Sequence, residues 1–157
     1  MLKDLLAGIW RRFPRALRRL TVRATHHRFS VTAAAIVIDN EGRVLLLKHR
    51  FRPGIGWGVP GGFLEADEQP EDGLRRELRE EVGLELDDVS LVAARTIKKA
   101  KQIEIIFRGR PKGGASPQSI EISKVGWFYL QKLPEGLPEG QRLLIEEALQ
   151  DGAKRTD

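Results

Sequence analysis

Apolar positions change their spacing repeatedly along this chain, and each change marks an element. In residues 2–23, Leu2, Leu5, Leu6, Ile9, Phe13, Leu17 and Leu20 recur at three- and four-residue intervals, with Arg11, Arg12, Arg15, Arg18 and Arg19 between them. That is the pattern of an amphipathic helix, broken near Pro14, which lacks the amide hydrogen a helix needs. From Val31 the text becomes "VTAAAIVIDNEGRVLLLKH", two apolar runs around Asn40-Glu41-Gly42, which reads as a β-hairpin of buried strands. A Gly-rich loop, "RPGIGWGVPGG", follows. A helix is expected from Pro70, whose fixed φ suits a first turn, to a glycine stop at Gly83. Its Leu74, Leu78 and Val82 form an i, i+4, i+8 stripe that can bury against a sheet. Strand-like runs at Val89–Ile97, Ile103–Arg108 and Ile120–Leu130 precede a last helix, about Glu139 to Leu149. Strands interleaved with helices imply an α/β fold, a mixed sheet covered on both faces.

Charge divides the chain into unequal parts. Residues 1–30 hold eight Lys/Arg against one acid, net +7, whereas the remainder carries 19 bases against 21 acids, net −2. The organisation expected is a basic amphipathic extension, 1–28, a globular domain, 29–152, and a short tail, 153–157. Because the basicity sits in the extension, the net charge of +5 is no argument that the body binds nucleic acid. No apolar run approaches the ~18 residues of a bilayer span, and "MLKDLLAGIWRRF" is interrupted by charge too early for a signal-peptide core. A cytoplasmic protein is expected. The apolar stripe of the extension needs cover, with docking on the body or in a homodimer favoured over an anionic membrane surface. The absence of cysteine excludes disulfides, thiolate catalysis and cysteine-held zinc.

The chemistry concentrates in "GGFLEADEQPEDGLRRELREEVGL", Gly61 to Leu84. Glu77, Glu80 and Glu81 crowd one helix face, where like charges repel by roughly 0.2–0.5 kcal/mol per pair. Oxygen ligands of this kind suit Mg²⁺ or Mn²⁺, which keep several waters and are completed by substrate phosphates. Such an ion also lets a polyanionic phosphate approach carboxylates. A solvated acidic face is the plain alternative, and the spacing of the whole stretch overturns it. Gly62, Glu68, Arg76, Glu77, Leu78, Glu80, Glu81, Gly83 and Leu84 fill every fixed position of G-x5-E-x7-R-E-U-x-E-E-x-G-U, with U aliphatic. On these residues the chain resembles the Nudix hydrolases, of which this pattern is the signature box. "GWGVPGG" looks like the family's lead-in, and "EISKVGWFYLQKLP" is similar to the strand and turn before its final helix.

The resemblance implies an α/β/α sandwich and metal-dependent attack of water on a phosphorus of a nucleoside diphosphate linked to a moiety X. Carried over by position, Glu77, Glu80 and Glu81 would hold Mg²⁺ or Mn²⁺ with the carbonyl of Gly61, and Arg76 would orient Glu68 and its neighbours. Gly73-Leu74 departs mildly from the small residues usual there. The general base is not set by the box. Glu121, where "PKGGASPQS" enters a strand, is preferred over Glu104, which points away from the face of Ile103, Ile105 and Phe107, and over Glu80. Lys48, Arg50 and Arg52 are candidate phosphate contacts. Trp57 is a candidate base-stacking or core residue. A competing G-x-G-x-x-G, Gly56 to Gly61, does not open a helix as dinucleotide binding requires. The region after the box, "RTIKKAKQ", lacks the proline or tyrosine that mark ADP-ribose and diadenosine-polyphosphate subfamilies, which favours nucleoside triphosphates. ADP-ribose or another nucleotide sugar is the alternative, and a non-catalytic nucleotide-binding module is a third reading.

Overall fold

The structure is a computed structural model that describes residues 14–17, 24–54 and 56–154. The expected helix of residues 2–23 therefore lies mostly outside the described residues. The body comprises β1 (Ser30–Val37), β2 (Val44–His49), β3 (Trp57–Gly58), β4 (Gly61–Phe63), α1 (Pro70–Val82), β5 (Glu85–Ile97), β6 (Gln102–Lys112), β7 (Ile122–Phe128) and α2 (Glu139–Lys154). One sheet runs β4-β1-β6-β5 and a second runs β3-β2-β7. β1 and β6 are parallel while the other pairings are antiparallel, so the sheet system is mixed as expected.

The apolar runs of β1 and β2 have no polar alternation because both of their faces are covered. Ala33, Ala35, Val37, Leu45 and Leu47 share one core with Leu74, Leu78 and Val82 of α1. Ala34, Ile36, Ile38, Val44 and Leu46 share the other with Ile145 and Ala148 of α2. Single-residue alternation thus sends neighbouring side chains to opposite helices.

One expectation is corrected. β1 and β2 do not form a hairpin: a single bridge, Ile38 to Val44, joins them, and the strands then diverge into separate sheets. Both hydrogen-bonding edges of β1 are taken, one by β4 and one by β6, so no edge remains for β2. β5 and β6 are also longer than their apolar runs, because β-bulges let polar residues continue the pairing to Glu85 and Lys112.

α1 follows its sequence signals closely. Pro70 opens it, Glu71 and Asp72 lie at its positive end, and Gly83 closes it at φ 68°, its N–H donating to the Arg79 carbonyl and the next N–H, of Leu84, to the Leu78 carbonyl. That left-handed conformation suits glycine. The short strand β4 depends on glycine more tightly. Gly61 has φ 139°, and a side chain there would run into the carbonyl of Ala33, so glycine is what lets β4 pair with Ala34.

Candidate active site

Helix α1 and strand β4 place the box residues against each other. Glu81 is buried at 8% exposure, and its carboxylate accepts from the Gly61 N–H at 3.3 Å. Burial pushes its carboxyl up to about 7, with the neighbouring Glu77 and Glu121 charges acting the same way and the Gly61 bond and Arg52 acting against it. The Glu77 carboxylate is lodged where a side chain on Gly62 would have to sit. Glycine at 62 therefore makes the room for this acid beside the strand.

Arg76 gathers the remaining box carboxylates. Its guanidinium donates to Glu68 at 3.0 and 3.1 Å, to Glu77 at 2.8 Å, to Glu80 at 3.3 Å and to the Phe63 carbonyl at 3.0 Å. These bonds raise the Arg76 pKa, the Glu68 bond contributing most, and they hold the Glu68 carboxyl below its usual range. Glu80 itself is exposed and turns towards Arg76. Leu78 and Leu84 lie in the α1-side core.

Oxygen donors in this arrangement fit a hard divalent cation. Two carboxylates, one of them buried with no cationic side chain bonded to it, converge on the backbone of Gly61 and Gly62. Among the described residues no three acidic or histidine side chains are pre-gathered as a ligand set, so backbone oxygen and substrate oxygen would complete the shell.

Beside these acids the chain forms two small cavities. One, of about 190 Å³, is lined by Gly61, Gly62, Phe63, Arg52, Glu104 and Gln141 among others. A second, of about 260 Å³, is lined by His49, Phe51, Arg52 and Glu121. Arg52 borders both. Although the residue as a whole is exposed, its guanidinium end lies over Gly58, where a side chain would collide with it. Partial desolvation lowers its pKa, while the charges of Glu81 and Glu104 act the other way. Glu121 is exposed at the junction of loop and β7, near enough to Glu81 to act on its charge. Arg50 donates to the Ile120 carbonyl at 3.1 Å. Lys48 sits 6.0 Å from the Trp57 ring centre, and Trp57 packs edge-on against Phe128 at 5.2 Å, the core alternative for that aromatic. His49 has a buried Nε2 without a hydrogen-bond partner, and burial depresses its pKa to about 4.

Glu104 is not a solvent-face residue: its side chain is 12% exposed, and one carboxylate oxygen accepts from Arg95 Nε at 2.6 Å and lies within ion-pair distance of Nη2. Arg95 and its contacts escaped the sequence reading, as did Gln102 and Gln141. The alternation of "QIEIIFR" put Gln102 and Glu104 on one face, but nothing local linked that face to α2.

Comparison with known proteins identifies the family of this domain. Residues 28–148 match the family model described as NUDIX domain. A MutT-like protein of Streptomyces ambofaciens is 36% identical over 126 residues, covering 79% of each chain. The NAD-capped RNA hydrolase NudC of Vibrio parahaemolyticus is 29% identical over 133 residues, 82% of this chain but 51% of the relative, so the chain spans about half the length of that enzyme. The crystal structure of a MutT NUDIX hydrolase from Burkholderia pseudomallei superposes with a TM-score of 0.69 at 27% identity, covering 77% of this chain and 98% of that one.

Proposed function

The chain belongs to the Nudix hydrolase family, and from that premise we propose that it is a divalent-metal-dependent pyrophosphohydrolase of nucleoside triphosphates, releasing a nucleoside monophosphate and pyrophosphate. The observation that carries this reading is the convergence of Glu77 and Glu81 on the Gly61–Gly62 backbone with Arg52, which has no ion-pair partner among the described residues, alongside.

In this reading Glu77, Glu81 and the Gly61 carbonyl hold the Mg²⁺ or Mn²⁺, with Glu80 at the exposed rim. When bound, the ion neutralises phosphate charge and acidifies the attacking water. Arg76 fixes Glu77 in place and keeps Glu68 ionised. Arg52 supplies positive charge to the phosphate chain between the acids and the cavity. Glu121 removes the proton from water as general base. Its exposure leaves it free to swing, whereas Glu104 is pinned by Arg95. Residues 29–152 form the catalytic domain and 1–28 an extension to it.

The absence of subfamily markers after the box supports triphosphates over nucleotide sugars. The test is a panel of nucleoside triphosphates, ADP-ribose and dinucleotides, assayed for phosphate or pyrophosphate release with Mg²⁺ and with Mn²⁺. Pyrophosphate release from triphosphates, abolished by EDTA, is the expected result. Faster turnover of ADP-ribose would replace the proposal with the nucleotide-sugar reading.

A further inference from the structure

We propose that the cavity beside β4 reads the nucleobase, that Glu104, Gln102 and Gln141 select a guanine-type edge, and that Arg95 is the positioning residue that holds them. This rests on the reading that the site takes nucleotides.

The argument is an inventory of unused hydrogen-bonding atoms. Arg95 meets Glu104 at one oxygen, Oε2, by a hydrogen bond from Nε and an ion-pair contact from Nη2, so Oε1 has no hydrogen-bond partner among the described residues. Gln102 donates from Nε2 to the Thr32 hydroxyl at 2.7 Å, which leaves its carbonyl oxygen free. Gln141 accepts the Val59 N–H on Oε1 at 3.1 Å, which fixes the amide and leaves its NH₂ free. All three side chains line the same cavity of about 190 Å³, together with Gly61 and Gly62. The far sides of these two glycines meet Glu81 and Glu77. These atoms face water in the cleft, and a ligand with the matching pattern would exchange that water for direct hydrogen bonds.

These three side chains offer two acceptors and one donor, with the Arg52 guanidinium on the same cavity assigned to the phosphates. Guanine presents N1–H and the 2-amino group beside O6, two donors and an acceptor. Adenine presents a single amino group flanked by ring nitrogens, whose lone pairs would face the Glu104 carboxylate. Cytosine offers one donor group next to acceptors, and uracil one N–H between two carbonyls. Guanine alone satisfies all three atoms. Phe63, 61% exposed on the cavity edge, offers an aromatic face for stacking.

Arg95 keeps these groups in register. Its Nη1 donates to the Gly140 carbonyl at 2.9 Å, and a side chain at 140 would lie 3.0 Å from that nitrogen. One guanidinium therefore clamps Glu104 of β6 to the first turn of α2, where Gln141 is the next residue.

The test is kcat/KM for GTP, ITP, ATP, CTP and UTP with the intact chain and with Glu104→Gln, Arg95→Lys and Arg95→Ala. The intact chain should favour GTP over ATP by about 10–100-fold, with ITP, which lacks the 2-amino group, between them. Glu104→Gln, which keeps the shape, should bring the GTP:ATP ratio close to one through KM. Arg95→Ala should do the same, and Arg95→Lys, which retains the ion pair, should restore part of the preference. No base preference, preference for another base, or an undiminished ratio in Glu104→Gln overturns the proposal. So does a collapse of kcat on every nucleotide at constant KM, which would make Glu104 the reaction's base. Should the intact chain hydrolyse none of the five, the pyrophosphohydrolase reading fails by itself. Calorimetric titration with GMP and AMP then decides base reading: tighter GMP supports it, and equal affinity overturns it.

Discussion

Two arginines in this protein each bind carboxylate and carbonyl oxygen, yet they do different work. Arg76 draws Glu68, Glu77, Glu80 and the Phe63 carbonyl around one half-buried guanidinium, all within thirteen residues of itself. Arg95 joins Glu104, nine residues away, to the Gly140 carbonyl, forty-five residues away. The first assembles reactive acids along a single helix and its lead-in. The second ties a strand to a distant helix and shapes a cavity. In the proposed function, residues gathered by short-range bonds set the chemistry, and residues gathered by long-range bonds set what fits beside it.

The sharpest way to break that division is at Glu77. Glu77→Gln should lower hydrolysis of every nucleotide by about 10³-fold or more, the equivalent of several kcal/mol of lost metal assistance, without altering discrimination between GMP and AMP in titrations. Loss of base discrimination in the same variant would show that the two regions are not separable. Next in size, Glu121→Gln should cut kcat by about 10²–10⁴ while Mn²⁺ affinity, followed by paramagnetic resonance, stays unchanged. If kcat is unaltered, the role of base passes to another acid, with Glu80 the first to examine.

Arg76→Ala should cost about 10–100-fold in metal affinity or activity, the usual consequence of releasing groups that orient metal ligands. Glu77 and Glu80 would then repel each other unscreened. An Arg76→Ala protein with normal metal affinity would show that α1 alone places the acids.

The smallest effect is expected at His49, outside both arginine clusters. Its folded pKa, about 4 through burial, lies below the unfolded value of about 6.5, so between these values the unfolded chain binds the additional proton. The stability contribution is present above pH 6.5 and is lost as the pH falls towards 4, by at most about 3 kcal/mol, and by less after solvent screening of this half-buried ring. His49→Gln should flatten the thermal-melting profile over that interval. A profile identical to the parent's would assign the acid sensitivity to other groups.

Much of this was legible before any coordinates. Helical geometry converts sequence separation directly into proximity, so Arg76, Glu77, Glu80 and Glu81 could be read as neighbours from their spacing alone, and Pro70 and Gly83 bracketed the helix on stereochemical grounds. Apolar runs without alternation in β1 and β2 reported two covered faces. Strand pairing has no such local code. Whether β2 folds back on β1 or leaves for another sheet is decided by which strands occupy the edges of β1, and β4 and β6 lie twenty and more residues downstream. The partners of Glu104, Val59 and Gly140 depend in turn on that sheet order and on the docking of α2. Sequence by itself determined that Glu77, Glu80 and Glu81 would be neighbours on one helix and where that helix begins and ends. The cavity beside them, its unused amide and carboxylate atoms, and the buried nitrogen of His49 were decided only when distant strands and the last helix packed together.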